Sequence, residues 1–82
     1  MENDYHLSKY NYFKKVNDVI VGVNLINKVL FVLDQDKYNL LLLFRDNLSF
    51  LRDENFVFYN AMRKLGVINT LDADKAFYEN AL

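Results

Sequence analysis

Three runs decide the fold: Ser8-Lys9-Tyr10-Asn11, then Val19-Ile20-Val21-Gly22-Val23-Asn24, then Lys28-Val29-Leu30-Phe31-Val32-Leu33-Asp34. Each carries the β-branched or aromatic residues that fit a pleated surface, and short polar turns separate them. Asp34 then opens a leucine-rich segment. Strands first and helices afterwards describe an α+β domain, with helices segregated to one side of a small antiparallel sheet.

Working outward, residues 1–8 read as a flexible polar lead-in. Tyr10-Asn11-Tyr12-Phe13 forms the first strand, and Lys14-Lys15 with Asn17-Asp18 supply a turn. Val19 to Asn24 lacks strict alternation and so predicts a second strand buried on both faces. Gly22 within it implies a close backbone approach or a bulge. Asn24 to Lys28 forms a hairpin connection, because Asn tolerates a left-handed backbone. Val29 to Leu33 is the third strand. Asp34 is suited to cap a helix over about 35–46 that is apolar nearly all round, a pattern expected between a sheet and other helices. Residues 47–53 predict a short helical turn, and 54–65 a clear helix stopped by Gly66. Val67-Ile68 dock as an extended segment. Thr70 or Asp72 caps a last helix to about Ala81, with Leu71, Phe77, Tyr78 and Leu82 on one side.

Composition excludes several function classes. The 82 residues form a single domain, and 52% of them are apolar, enough for a core without staples. There is no cysteine, so disulfides, thiolate metal sites and cysteine catalysis are excluded. Ten basic and eleven acidic residues leave the charge near −1, the wrong balance for a domain living on phosphates. The polar, acidic Met1 to His6 does not read as a signal peptide, and no apolar run approaches a membrane span. The expectation is a soluble cytoplasmic domain.

Candidates for chemistry are few. His6 is the sole histidine, in a polar segment without ligands at metal spacing, so it reads as a surface residue. Ser8 and Ser49 have no base beside them in sequence. The two glycines, Gly22 and Gly66, make no phosphate loop. Asp34 and Asp36 are explained by a helix N-terminus. The expectation is no enzyme, no catalytic residue, no metal and no cofactor.

These residues resemble the PqqD-like RiPP recognition element, in the form found at the N-terminus of radical SAM/SPASM peptide maturases. That form reads as a Ser-x-Tyr-Asn strand, a hydrophobic strand ending in Asn, and a strand ending in Leu-Asp followed by a helix with Tyr four residues on. Here they are Ser8-Lys9-Tyr10-Asn11, Val23-Asn24, and Leu33-Asp34 with Tyr38 and Leu41. Downstream, Met62 to Ile68 is similar to the family's helix ending in Leu-x-x-x-Gly-Phe-Ile, with Asp72 and Asp74 following. The likeness covers roughly residues 8–80. It implies a winged-helix-like fold, a three-stranded antiparallel sheet and three to four helices, that binds the leader segment of a bacterial ribosomally made precursor peptide and presents it to a radical SAM or other peptide-modifying enzyme. The cluster-binding cysteines of such enzymes are absent, so no redox chemistry transfers.

The expected peptide site has two parts. The third strand, Val29, Leu30, Phe31, Val32 and Leu33, offers an edge without proline or lysine to which an extended chain adds. On the helix over 54–65, Val57, Phe58, Ala61, Met62 and Leu65 share the expected core face. Phe56 lies opposite beside Arg63, with Tyr59 and Asn60 to either side. Phe56, Tyr59, Asn60 and Arg63 would then line the slot. The alternatives are Phe56 packed on Phe50 or Leu51, a homodimer through the edge strand, a winged-helix DNA-binding or transcription-associated module, and a structural docking domain.

Overall fold

A computed structural model describes residues 5–81 as an α+β domain. Its elements are β1 (Tyr5–Leu7), β2 (Asn11–Val16), β3 (Val19–Asn24), β4 (Val29–Asp34), α1 (Gln35–Leu43), α2 (Leu48–Glu54), α3 (Phe56–Leu65), β5 (Ile68–Thr70) and α4 (Leu71–Ala81). The antiparallel sheet β2-β3-β4 carries the N-terminal half, and a second ribbon pairs β1 with β5.

The principal sheet is continuous through two tight connections. Asn17 and Asp18 alone join β2 to β3, and Asn17 takes φ 57°, the sign such turns require. Lys14 and Lys15 therefore belong to the strand rather than to the turn. Between β3 and β4 the left-handed residue is Lys28, φ 56°, while Asn24 fixes the loop by accepting the Asn27 amide at 2.9 Å. The register stacks three rows on the inner face: Asn11–Asn24–Val29, Phe13–Gly22–Phe31 and Lys15–Ile20–Leu33. It stacks three more on the outer face: Tyr12–Val23–Leu30, Lys14–Val21–Val32 and Val16–Val19–Asp34.

Gly22 is required by that register. A Cβ there would lie 2.5 Å from the Phe31 ring, which folds over the glycine and meets Phe13 edge-on at 5.9 Å. Ile20, Phe31 and Leu33 carry the inner face into a core completed by Leu41, Leu48, Leu51, Phe58, Met62 and Ile68. β3 is not buried on both faces as its composition suggests. Val19 is exposed, and Val21 and Val23 are only half-buried.

The helices depart from expectation in instructive ways. Asp34 caps α1, its Oδ1 accepting the Lys37 amide at 2.7 Å. α1 is nevertheless no sandwiched helix. Leu41 is fully buried but Leu42 and Leu43 face outward, and the helix ends at Leu43. The short turn expected after it is a seven-residue helix, α2, and Asn55 ends it. Asn55 also starts α3, its side chain accepting the Phe58 amide at 3.1 Å, so the chain breaks where the sequence reads as one helix from Glu54. Gly66 closes α3 at φ 84° as expected. The buried face of α3 holds Phe58, Tyr59 and Met62, while Val57 is 80% exposed and Ala61 is exposed. At 100° per residue, the core face is turned by roughly 60° toward Tyr59. A tyrosine ring buries more apolar area than valine or alanine, so the helix settles on the aromatic.

The lead-in is also corrected. Residues 5–7 are a strand, registered Tyr5↔Thr70, His6↔Asn69 and Leu7↔Ile68. Residues 1–4 and Leu82 lie outside the described residues. Thr70 rather than Asp72 caps α4, its Oγ1 accepting the Ala73 amide. Leu71 and Tyr78 are exposed, and α4 is held instead by Phe77, whose ring meets Tyr10 edge-on at 4.7 Å.

Candidate functional site

Among the described residues, β4 has β3 on one side and no strand on the other. Which of its main-chain groups face the open side follows from the turn at Asn17-Asp18. A two-residue turn makes its flanking residues, Val16 and Val19, a hydrogen-bonded pair. The alternation runs on through Lys14–Val21 and Tyr12–Val23 to the bond from the Leu25 amide to the Tyr10 carbonyl, 3.1 Å. On its other side β3 therefore directs Ile20, Gly22 and Asn24 toward Leu33, Phe31 and Val29. Leu30 and Val32 turn their N–H and C=O groups outward, and among the described residues no other element bonds them. Their side chains are 72% and 59% exposed, while Phe31 and Leu33 are buried beneath. Among the described residues the edge is thus packed on one face and vacant in its hydrogen bonding.

The helical half of the expected site is not assembled as the sequence suggests. Phe56 is 61% exposed, so it does not pack into the core. Asn60 is half-buried. Tyr59 is 5% exposed and belongs to the core, which removes its ring from any open slot. Arg63 is exposed but already engaged: its guanidinium donates to the Tyr5 hydroxyl at 2.7 Å and stacks 4.1 Å from that ring. Tyr5 belongs to the β1–β5 ribbon, and α3 lies chiefly against α2 and β5. Arg63 is therefore tied to the smaller sheet rather than to the β4 edge.

Sequence reasoning missed two buried polar clusters. In the first, Asp74 on α4 is 3% exposed and fully satisfied. Its Oδ1 accepts the Ser8 hydroxyl at 2.8 Å, and its Oδ2 accepts the Lys9 amide and contacts His6 Nε2, each at 3.0 Å. Ser8 in turn accepts the Tyr10 amide at 3.2 Å. His6 is thus a half-buried strand residue rather than a surface one, and Ser8 has an acidic neighbour after all. The three residue types of a hydrolase are present but wrongly ordered. Serine and histidine both bond the carboxylate and not one another, so nothing activates Ser8 as a nucleophile. The cluster is a clasp between the chain's first strand and its last helix. Its signal in the sequence is an acid on the stripe Thr70, Ala73, Asp74, Phe77, which faces inward.

In the second cluster, Asn24 is fully buried and its Nδ2 donates to Asn11 Oδ1 at 2.8 Å and to the Gly66 carbonyl at 3.0 Å. Asn11 donates onward to the Val67 carbonyl at 2.9 Å. This network anchors the start of β2 and the end of β3 to the segment that closes α3. Gly66 tolerates no side chain here, since a Cβ in its left-handed backbone would meet Asn27 at 2.5 Å and Asn24 Oδ1 at 3.2 Å.

A cleft of about 370 Å³ opens beside the clasp, lined by His6, Lys9, Leu71, Asp74, Lys75 and Tyr78. Its carboxylate is saturated by the clasp. Among the described residues no cluster of three histidine or acidic side chains could hold a metal ion, and no helix is long and apolar enough to cross a membrane. No family model matches the chain, and no curated protein or solved structure matches it.

Proposed function

We propose that the domain is a non-catalytic peptide-recognition module. It captures the leader segment of a ribosomally made precursor by strand addition to β4 and presents it to a radical SAM or other peptide-modifying enzyme. Precursor and enzyme would meet in the cytoplasm. The observation that carries this reading is the outward pair of amides and carbonyls at Leu30 and Val32, on a strand with no proline or lysine to guard it. Main-chain pairing supplies affinity in this mode, and pockets for alternate side chains supply selectivity. Of the helical residues expected to line the slot, Phe56 is the exposed apolar one left to add such selectivity. Arg63 does so only by giving up its bond to Tyr5.

The test uses a synthetic peptide copied from a short open reading frame neighbouring the gene, titrated while backbone amides are followed by nuclear magnetic resonance. Leu30 and Val32 amides should move first and most. Perturbations confined to α3 and α4, with β4 silent, would reject strand addition. DNA binding through α3 finds less support, because its basic residues are only Arg63 and Lys64 and the first is stacked on Tyr5. A gel shift with duplex DNA at low salt checks that alternative.

A further inference from the structure

Among the described residues nothing covers the outer face of the principal sheet, and that face is apolar. An antiparallel sheet with one face in water normally alternates apolar-in and polar-out. Here seven of the nine positions in the three outer rows are apolar. Tyr12, Val16, Val19, Leu30 and Val32 are all exposed there, and every helix packing on this sheet does so through the opposite side, where Phe31, Leu33 and Leu41 meet. A contiguous apolar patch of this kind is a docking surface.

We propose that this face is a two-fold interface between two copies of the chain, packed sheet against sheet. The charges in the patch select the occupant. It holds one cation, Lys14 on β2, and one anion, Asp34 at the end of β4, on opposite margins and one row apart. A two-fold axis parallel to the strands and passing over β3 lays each β2 on the β4 of the other copy. Tyr12 then faces Leu30, and Lys14 faces Val32 with Asp34 of the second copy one row along. Stacked sheets lie about 10 Å apart and rotate by about 30°, within reach of a lysine side chain. Asp34 caps α1 through Oδ1, leaving Oδ2 for the lysine. Symmetry makes this ion pair twice, at the rim of a dry centre formed by Val21, Val23 and their neighbours. A face of three six-residue strands buries roughly 500 Å² per copy, at the low end for specific interfaces. The dimer is therefore weak and dissociates on dilution. Both β4 edges stay open in it, so self-association and capture of a guest strand do not compete.

Sedimentation equilibrium of the 82-residue chain, from about 1 μM to about 1 mM, tests the proposal. The mass should rise from 9.8 kDa toward twice that value as concentration increases. Tyr12→Lys and Lys14→Glu should each shift the dimer curve to at least about tenfold higher concentration, roughly one factor of ten in Kd. Circular dichroism should show both variants folded, since both side chains are exposed on β2. A chain that stays monomeric throughout overturns the proposal. So does a dimer indifferent to both substitutions, which would assign pairing to the β4 edge or to the helices. Should either variant fail to fold, Val16→Thr, at the turn end of the same face, replaces it with the same expected direction.

Discussion

The two margins of one sheet are built differently. Among the described residues β2 and β4 each have a single neighbour, yet β2 carries Lys14 and Lys15 in its second half while β4 carries Leu30, Phe31, Val32 and Leu33. Lysine on an edge strand is a common guard against unwanted pairing, because adding a strand there buries or crowds the ammonium groups. β2 is guarded and β4 is not, though both belong to the same ladder. The asymmetry means that an incoming strand has one welcoming side. It also means that the lack of a guard at β4 is a property of its own residues, whereas the vacancy beside it comes from the fold.

Substitutions that respect or violate this polarity should separate the roles. Phe31→Pro should have the largest effect. It removes a donor that points inward to Gly22 and takes the ring off the core, so about 3 kcal/mol or more of stability should vanish. Chemical denaturation measures it, and a variant as stable as the parent would refute the assigned ladder polarity. One residue on, Val32→Pro should leave the fold largely intact, because the missing N–H faces outward where edge prolines are tolerated. Peptide affinity should fall by at least about tenfold, some 1.4 kcal/mol, in calorimetric titration. Unchanged binding by this folded variant would exclude strand addition.

Phe56→Ala should weaken peptide binding by a smaller factor and alter stability by no more than about 0.5 kcal/mol, the range of exposed positions. A large drop in melting temperature would place the ring in the core. Lys15→Val should change stability least of all, again within about 0.5 kcal/mol, but should raise the rate of light-scattering aggregation by removing the guard from β2. Equal aggregation of parent and variant would show that lysine is not what distinguishes the two margins.

The sheet was legible because its determinants are local. Asn17-Asp18 sets one turn, the run of β-branched residues sets β3 and β4, and Asp34 marks the passage into α1. Gly22 and Gly66 were readable for a similar reason, each answering a steric demand within a few residues or directly across a strand pair. What was hidden depends on partners far along the chain. β1 exists only because Ile68–Thr70 pairs with it, and Asp74 is buried only because Ser8, His6 and the Lys9 amide come to meet it. α3 misled for another reason. Val57 and Ala61 look like core by hydropathy, but the break at Asn55 frees the helix to turn until Tyr59 and Phe58 are buried. The edge at β4 was thus foreseen from sequence, whereas the helical groups meant to complement it were half misplaced, with Tyr59 inside and Arg63 occupied by Tyr5.

Asp34 belongs at once to a strand and to a helix. It pairs with Val19 and its carboxylate holds the Lys37 amide, with no linker between the two jobs. A joint without slack transmits displacement instead of absorbing it. Any sliding of the edge along its own axis must drag the first turn of the following helix or tear that carboxylate from its amide. The exchange rate of the Lys37 proton is therefore a built-in gauge of tension, readable without labelling whatever is doing the pulling.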